Sequence, residues 1–75
     1  MFENAVLRLW SEILGVEVTS ADQDFYDLGG QSLAMVQFVA MVESEFGVEL
    51  PIEVLFAEGL TAAEAALAIE AGARA

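Results

Sequence analysis

A single serine, Ser32, sits in the stretch D-L-G-G-Q-S-L (Asp27 to Leu33) and opens an apolar run, L-A-M-V-Q-F-V-A-M-V. A hydroxyl behind two glycines could be a nucleophile, but it would need a base within hydrogen-bond reach to take its proton. The chain has no histidine and no cysteine, and its two basic residues are Arg8 and Arg74. Asp27 could touch Ser32, yet a carboxylate alone is a poor base for an alcohol. The second glycine of a G-x-S-x-G elbow is also missing. Self-contained serine catalysis is therefore not expected, and no catalytic residue is assigned.

Metal and phosphate chemistry fare no better. Asp22, Asp24 and Asp27 form an acidic loop. A calcium loop needs glycine at its sixth position and glutamate at its twelfth, where this chain has Asp27 and Leu33. Gly29 and Gly30 lack the spacing and the lysine of a P-loop. On residue chemistry alone, Ser32 is best read as a helix N-cap, with the glycines permitting backbone angles that a helix refuses.

The elements that would hold this stretch follow from periodicity. Phe2, Val6, Leu9, Trp10, Ile13 and Leu14 recur at helical spacing and Gly15 ends the run, which predicts a helix over 2–14 with Trp10 in the core. Residues 16–31 have no sustained period and form a long loop, with Val16, Val18, Phe25 and Leu28 as candidate pins. From Ser32 a second helix presents Met35, Phe38, Val39, Val42 and Phe46 to the core and stops at Gly47. Pro51 can start a short helix ending at Gly59. Thr61 and Glu64 have capping-box spacing, so a last helix should run over 62–71 on a thin stripe of Ala62, Ala65, Ala66 and Ile69. No strand is expected. The predicted fold is all-α: one domain over 1–75, a small four-helix bundle of three longer helices and one short, with a long first loop.

The core stripe leaves part of the second helix unexplained. Leu33, Val36, Gln37, Ala40, Glu43 and Ser44 form a second stripe offset from it. An apolar surface stripe beside a helix start suits a partner.

Composition narrows the partners. The chain has 75 residues, which allows one domain of modest core and marginal stability. Without cysteine it has no disulfide and no thiol. Thirteen acids against two arginines give a net charge of −11, which argues against nucleic acid and against an anionic membrane surface, and suits basic protein surfaces. No apolar run approaches transmembrane length. Met1 is followed by an amphipathic segment with Glu3 and Arg8, unlike a signal peptide, so a cytoplasmic location is expected.

The run D-x-D-F-Y-D-L-G-G-Q-S-L resembles the attachment motif of carrier proteins. It is closer to the peptidyl carrier domains of nonribosomal peptide synthesis than to fatty-acid carriers, which usually have aspartate where Gln31 stands. The resemblance continues through L-W-S-E-I-L-G-V upstream and E-F-G-V-E-L-P and L-F downstream, over nearly the whole chain. It implies that Ser32 carries a 4′-phosphopantetheine arm, added from coenzyme A by a separate phosphopantetheinyl transferase. The arm's thiol would hold an aminoacyl, peptidyl or acyl group as a thioester, supplying the thiol this chain lacks.

The resemblance also implies that Asp27, Gly29 and Gly30 shape the approach to Ser32. Its partner surface falls on Leu33, Val36, Gln37, Ala40, Glu43 and Ser44. The implied partners are the transferase, an adenylation or other loading enzyme, and condensation, tailoring or release enzymes, met by a non-catalytic monomer. Three features depart from the family pattern. The second helix lacks a basic residue after the serine. Ala62 and Ala65 stand where larger apolar residues are usual, so the last helix should be the least protected element. The acidity, with Met1 so near the first helix, favours a stand-alone protein acting in trans over a domain excised from a larger chain. Two rival readings are an acyl carrier for polyketide or fatty-acid chemistry, and an unmodified helical adaptor in which Ser32 is only a cap.

Overall fold

In the computed structural model, residues 2–51 and 59–74 are described. Helix α1 spans Glu3–Leu14, α2 spans Ser32–Phe46 and α3 spans Ala62–Arg74. Among the described residues there is no strand, only an isolated antiparallel bridge between Asp24 and Thr61. The fold is all-α, as the periodicities require. The short helix expected between Pro51 and Gly59 lies over 52–58, outside the described residues.

Helix ends follow local chemistry. Gly15 and Gly47 both take left-handed φ values, 68° and 66°, and each N–H closes the last turn onto Ser11 and Glu43 respectively. A residue with a Cβ is strained there, so glycine ends both helices. The capping box at α3 forms: Glu64 N–H donates to Thr61 Oγ1 at 3.1 Å and Thr61 N–H donates to Glu64 Oε1 at 2.9 Å. Helix α3 runs three residues past the expected end at Ala71, to Arg74. Alanine is the best helix former, and the glycine at 72 does not offset it. Arg74 pairs with Glu70 one turn back, at 2.9 Å.

Helix α1 packs against both α2 and α3. Trp10 is fully buried, with its ring centroid 5.0 Å from that of Phe25 and 5.8 Å from that of Phe38, both edge-to-face. This puts one aromatic each from α1, the loop and α2 in contact. Met35, Phe38 and Val42 are buried as expected, and Val39 and Phe46 pack at the margin. Ala62, Ala65, Ala66 and Ile69 are all buried against α1 and the loop ends. Of the four predicted loop pins, Val18 and Phe25 are buried and Leu28 is partly so. Val16 is the exception, at 43% exposed. The chain turns at Gly15, and the Val18 N–H then seats on Ser11 Oγ at 3.0 Å, with the Val18 side chain buried.

Candidate functional site

The loop before α2 is held at two levels. Its first half is tied to the start of α3. Ala62 N–H donates to Gln23 C=O at 3.1 Å and Ala63 N–H to Ala21 C=O at 3.0 Å. Two first-turn donors of α3, which no helical carbonyl can satisfy, are thus paired by the loop. The Gln23 side chain closes the bend before it, with Oε1 accepting the N–H groups of Thr19 and Ser20 at 2.9 Å each.

The second tie is Asp24. Its Oδ1 accepts Tyr26 N–H at 2.8 Å and Asp27 N–H at 3.3 Å, and its Oδ2 accepts Leu60 N–H at 2.7 Å. Phe25 N–H donates to Leu60 C=O at 2.8 Å. One carboxylate therefore folds its own loop and fastens it to a segment 36 residues away. Gly59 leaves the space for this, because a Cβ there would stand 2.7 Å from Oδ2. Sequence reading marked Asp24 only as part of an acidic loop. The signal for its turn was local, an Asp two residues before an N–H donor, but the partner at Leu60 was not.

From Phe25 the chain climbs to Ser32. Gly29 N–H donates to Tyr26 C=O at 3.1 Å and Gly30 N–H to Phe25 C=O at 3.0 Å. Gly29 has φ of 96°, open to glycine and strained for other residues. Gly30 lies against the Phe25 ring: a Cβ there would stand 2.3 Å from Cε2 and 2.7 Å from the Phe25 carbonyl oxygen. Asp27 is exposed beside this turn.

Ser32 is not the cap that its residue type predicts. Gln31 is the cap, in extended conformation (φ −123°, ψ 175°), with its C=O accepting Met35 N–H at 3.0 Å and no side-chain cap bond. Ser32 is already the first helical residue. A cap serine would spend its oxygen on a first-turn N–H. One position later, the Ser32 side chain is exposed and has no hydrogen bond among the described residues. Its hydroxyl stands free at a helix N-terminus with no acid in the first turn, in a chain with 13 acids.

The stripe behind Ser32 faces solvent. Leu33 is 71% and Val36 58% exposed, and Gln37, Ala40, Glu43 and Ser44 are exposed with them. Beside the stripe a groove runs between α1 and α2. Its near stretch is lined by Leu14, Gly29, Gln31, Leu33 and Ala34, its far stretch by Glu12, Ala40 and Met41, with Ile13 and Gln37 in both. Sequence reading missed the groove because Ile13 and Leu14 read simply as core. The one interhelical ion pair among the described residues lies on the surface, Arg8 to Glu45 at 3.0 Å. The Glu45 hydrogen bond raises the Arg8 pKa above its ordinary value.

The small helical body thus holds one solvated serine at a helix start, behind two glycines and beside an apolar stripe. The sequence pattern of the phosphopantetheine attachment site family matches residues 4–69. The chain belongs to this family, whose group is 4′-phosphopantetheine. It is 44% identical over 54 residues, 72% of its length, to a linear gramicidin synthase of Brevibacillus parabrevis, of which it spans 1%. It is 35% identical over 71 residues, 95% of its length, to surfactin synthase subunit 2 of Bacillus subtilis (strain 168), of which it spans 2%. It also superposes on a chain from a solved complex of the phosphopantetheine transferase Sfp with coenzyme A and a peptidyl carrier protein. There the TM-score is 0.86 and the identity 31%, covering 95% of this chain and 91% of that one.

The Ser32 environment fits the group. A phosphoester oxygen needs a hydroxyl free of other bonds, and the Ser32 hydroxyl is free. The arm's phosphodiester is a monoanion, and an anion is favoured at a helix N-terminus, where unpaired N–H groups and the dipole both face it. The absence of an acid from the first turn of α2 removes the repulsion that such an anion would otherwise meet.

Proposed function

We propose that the protein is a peptidyl-type carrier in which Ser32 bears the 4′-phosphopantetheine arm, and that it presents aminoacyl or peptidyl thioesters to successive cytoplasmic enzymes of nonribosomal peptide synthesis. The observation that carries this reading is the free, exposed Ser32 hydroxyl at the start of α2, one residue inside the cap position.

Loading forms a bond from Ser32 Oγ to the phosphorus that bears pantetheine and breaks the pyrophosphate P–O bond of coenzyme A, so that adenosine 3′,5′-bisphosphate leaves with the bridging oxygen. The hydroxyl proton leaves to a base on the transferase, because this chain has no histidine, lysine or cysteine to take it. Gly29 and Gly30 keep the approach clear of side chains, and the Phe25–Gly30 contact fixes where the turn delivers Ser32. Asp27, exposed beside the turn, flanks the transferase's path. Once bound, the arm supplies the thiol that forms the thioester. The body contributes no catalytic group. It positions the arm and offers Leu33, Val36, Gln37, Ala40, Glu43 and Ser44 to the transferase, then to loading, condensation, tailoring or release enzymes. Intact mass before and after incubation with coenzyme A and a broad-specificity transferase tests the reading. A gain of one phosphopantetheine supports it, and no gain in folded protein contradicts it.

A further inference from the structure

We propose that the groove between α1 and α2 is the resting seat of the arm on Ser32, and that Gln37 is the residue that holds it there. The proposal rests on the reading of Ser32 as the attachment residue. Gln31 and Leu33, the two chain neighbours of Ser32, wall the near end of the groove. A group tethered at that mouth meets the groove at an effective concentration in the millimolar range, on the order of that of a short flexible linker.

Length suits this seat. The groove runs along α2 to Met41, and the helix from Ser32 to Met41 rises about 13 Å at 1.5 Å per residue. The arm has about as many chain bonds as five residues of extended polypeptide, roughly 16–18 Å.

The lining suits the arm's chemistry. The arm alternates amides with methylenes and a dimethyl carbon, so it needs apolar contact broken by a donor and an acceptor. Ile13, Ala34 and Met41 give apolar contact. Gln37 lines both stretches, and its side chain forms no hydrogen bond among the described residues. Its amide has both a donor and an acceptor. It is also the one polar side chain between Leu33 and Val42, which core periodicity does not explain. Charge is ordered in the same sense. The near stretch, beside the phosphate, contains no ionisable group, and Glu12 stands at the far end. Leu33 belongs both to the groove wall and to the exposed stripe, so a partner seated on Leu33 would displace the arm.

The test is solution NMR on isotope-labelled protein, with loading by coenzyme A and a broad-specificity transferase followed by intact mass. The expected result is NOEs from the arm's geminal methyls and β-alanine methylenes to the methyl groups of Ile13 and Met41. In Gln37→Ala, folded by its amide spectrum and driven to full loading with excess transferase, the ratio of seated to free arm read from those NOEs should fall about fivefold, the effect of losing one hydrogen bond. Full loading with NOEs confined to residues next to Ser32 would overturn the groove seat and leave the attachment reading standing. Unchanged NOEs in Gln37→Ala would overturn the role of Gln37. No mass gain in the folded wild type would overturn the attachment reading and the seat together.

Discussion

Gly30 lies so close to Phe25 that its N–H reaches the Phe25 carbonyl at 3.0 Å while a Cβ on it would stand 2.3 Å from the ring. Phe25 is itself locked edge-to-face on Trp10. The turn that delivers Ser32 is thereby keyed to the centre of the core. Gly30→Ala must push the Phe25 ring off Trp10 or break the turn, and overpacking of this kind costs about 1–3 kcal/mol. Urea unfolding should show that loss. The loading rate by a transferase should fall with it even under conditions where the variant is fully folded.

Asp24 gives a second prediction. Its three N–H donors are those of Tyr26, Asp27 and Leu60. Hydrogen bonds to a charged group are worth more than neutral ones, so Asp24→Ala should cost about 2–4 kcal/mol. Asp24→Asn keeps one acceptor oxygen and should fall between. Hydrogen exchange at Leu60 reads the long-range bond directly: protection that survives Asp24→Ala would contradict the clamp.

Much of this was legible from residue order. The α1 and α2 stripes, the glycine stops at Gly15 and Gly47 and the Thr61–Glu64 box are local patterns, and each formed as its spacing requires. What failed were choices that local chemistry leaves open by a position or two, and pairings that are not local at all. Serine is a better cap than glutamine by type, yet the cap is a matter of backbone angles, and Gln31 has the extended ones. Val16 and Val18 are the same residue two positions apart, and the one that is buried is the one whose N–H bonds the Ser11 hydroxyl of the preceding helix, a contact that no periodicity marks. The Asp24–Leu60 bond joins positions 36 residues apart, and no pattern in a single chain pairs them.

Leu33 and Val36 should matter to partners and not to folding. Both are mostly exposed, and surface substitutions shift stability by no more than about 0.5 kcal/mol. If they anchor the transferase, Leu33→Ala should raise its KM by about tenfold, as truncation of a central apolar contact does, with kcat and the unfolding midpoint nearly unchanged. An unchanged KM for both Leu33→Ala and Val36→Ala would move the docking surface elsewhere.

Helix α3 should open first. It buries three alanines and Ile69, where α1 buries Val6, Leu9 and Trp10. At about 25 cal/mol per Å² of apolar area, the smaller side chains stabilise it less. Amides of α3 should exchange ahead of those at Phe38 and Val42. Ile69→Ala, at about 2–5 kcal/mol for a buried truncation, should release it altogether. Slower exchange in α3 than in α2 would contradict this order.

Everything proposed for this protein turns on Ser32 as the attachment residue. Tandem mass spectrometry of the protein after incubation with coenzyme A and a broad-specificity transferase tests it most directly, with Ser32→Ala treated in parallel. One phosphopantetheine is expected, localised to Ser32 by fragment ions and absent from the variant. A folded wild type that stays unmodified, or a group that maps to another hydroxyl and persists in Ser32→Ala, would contradict it.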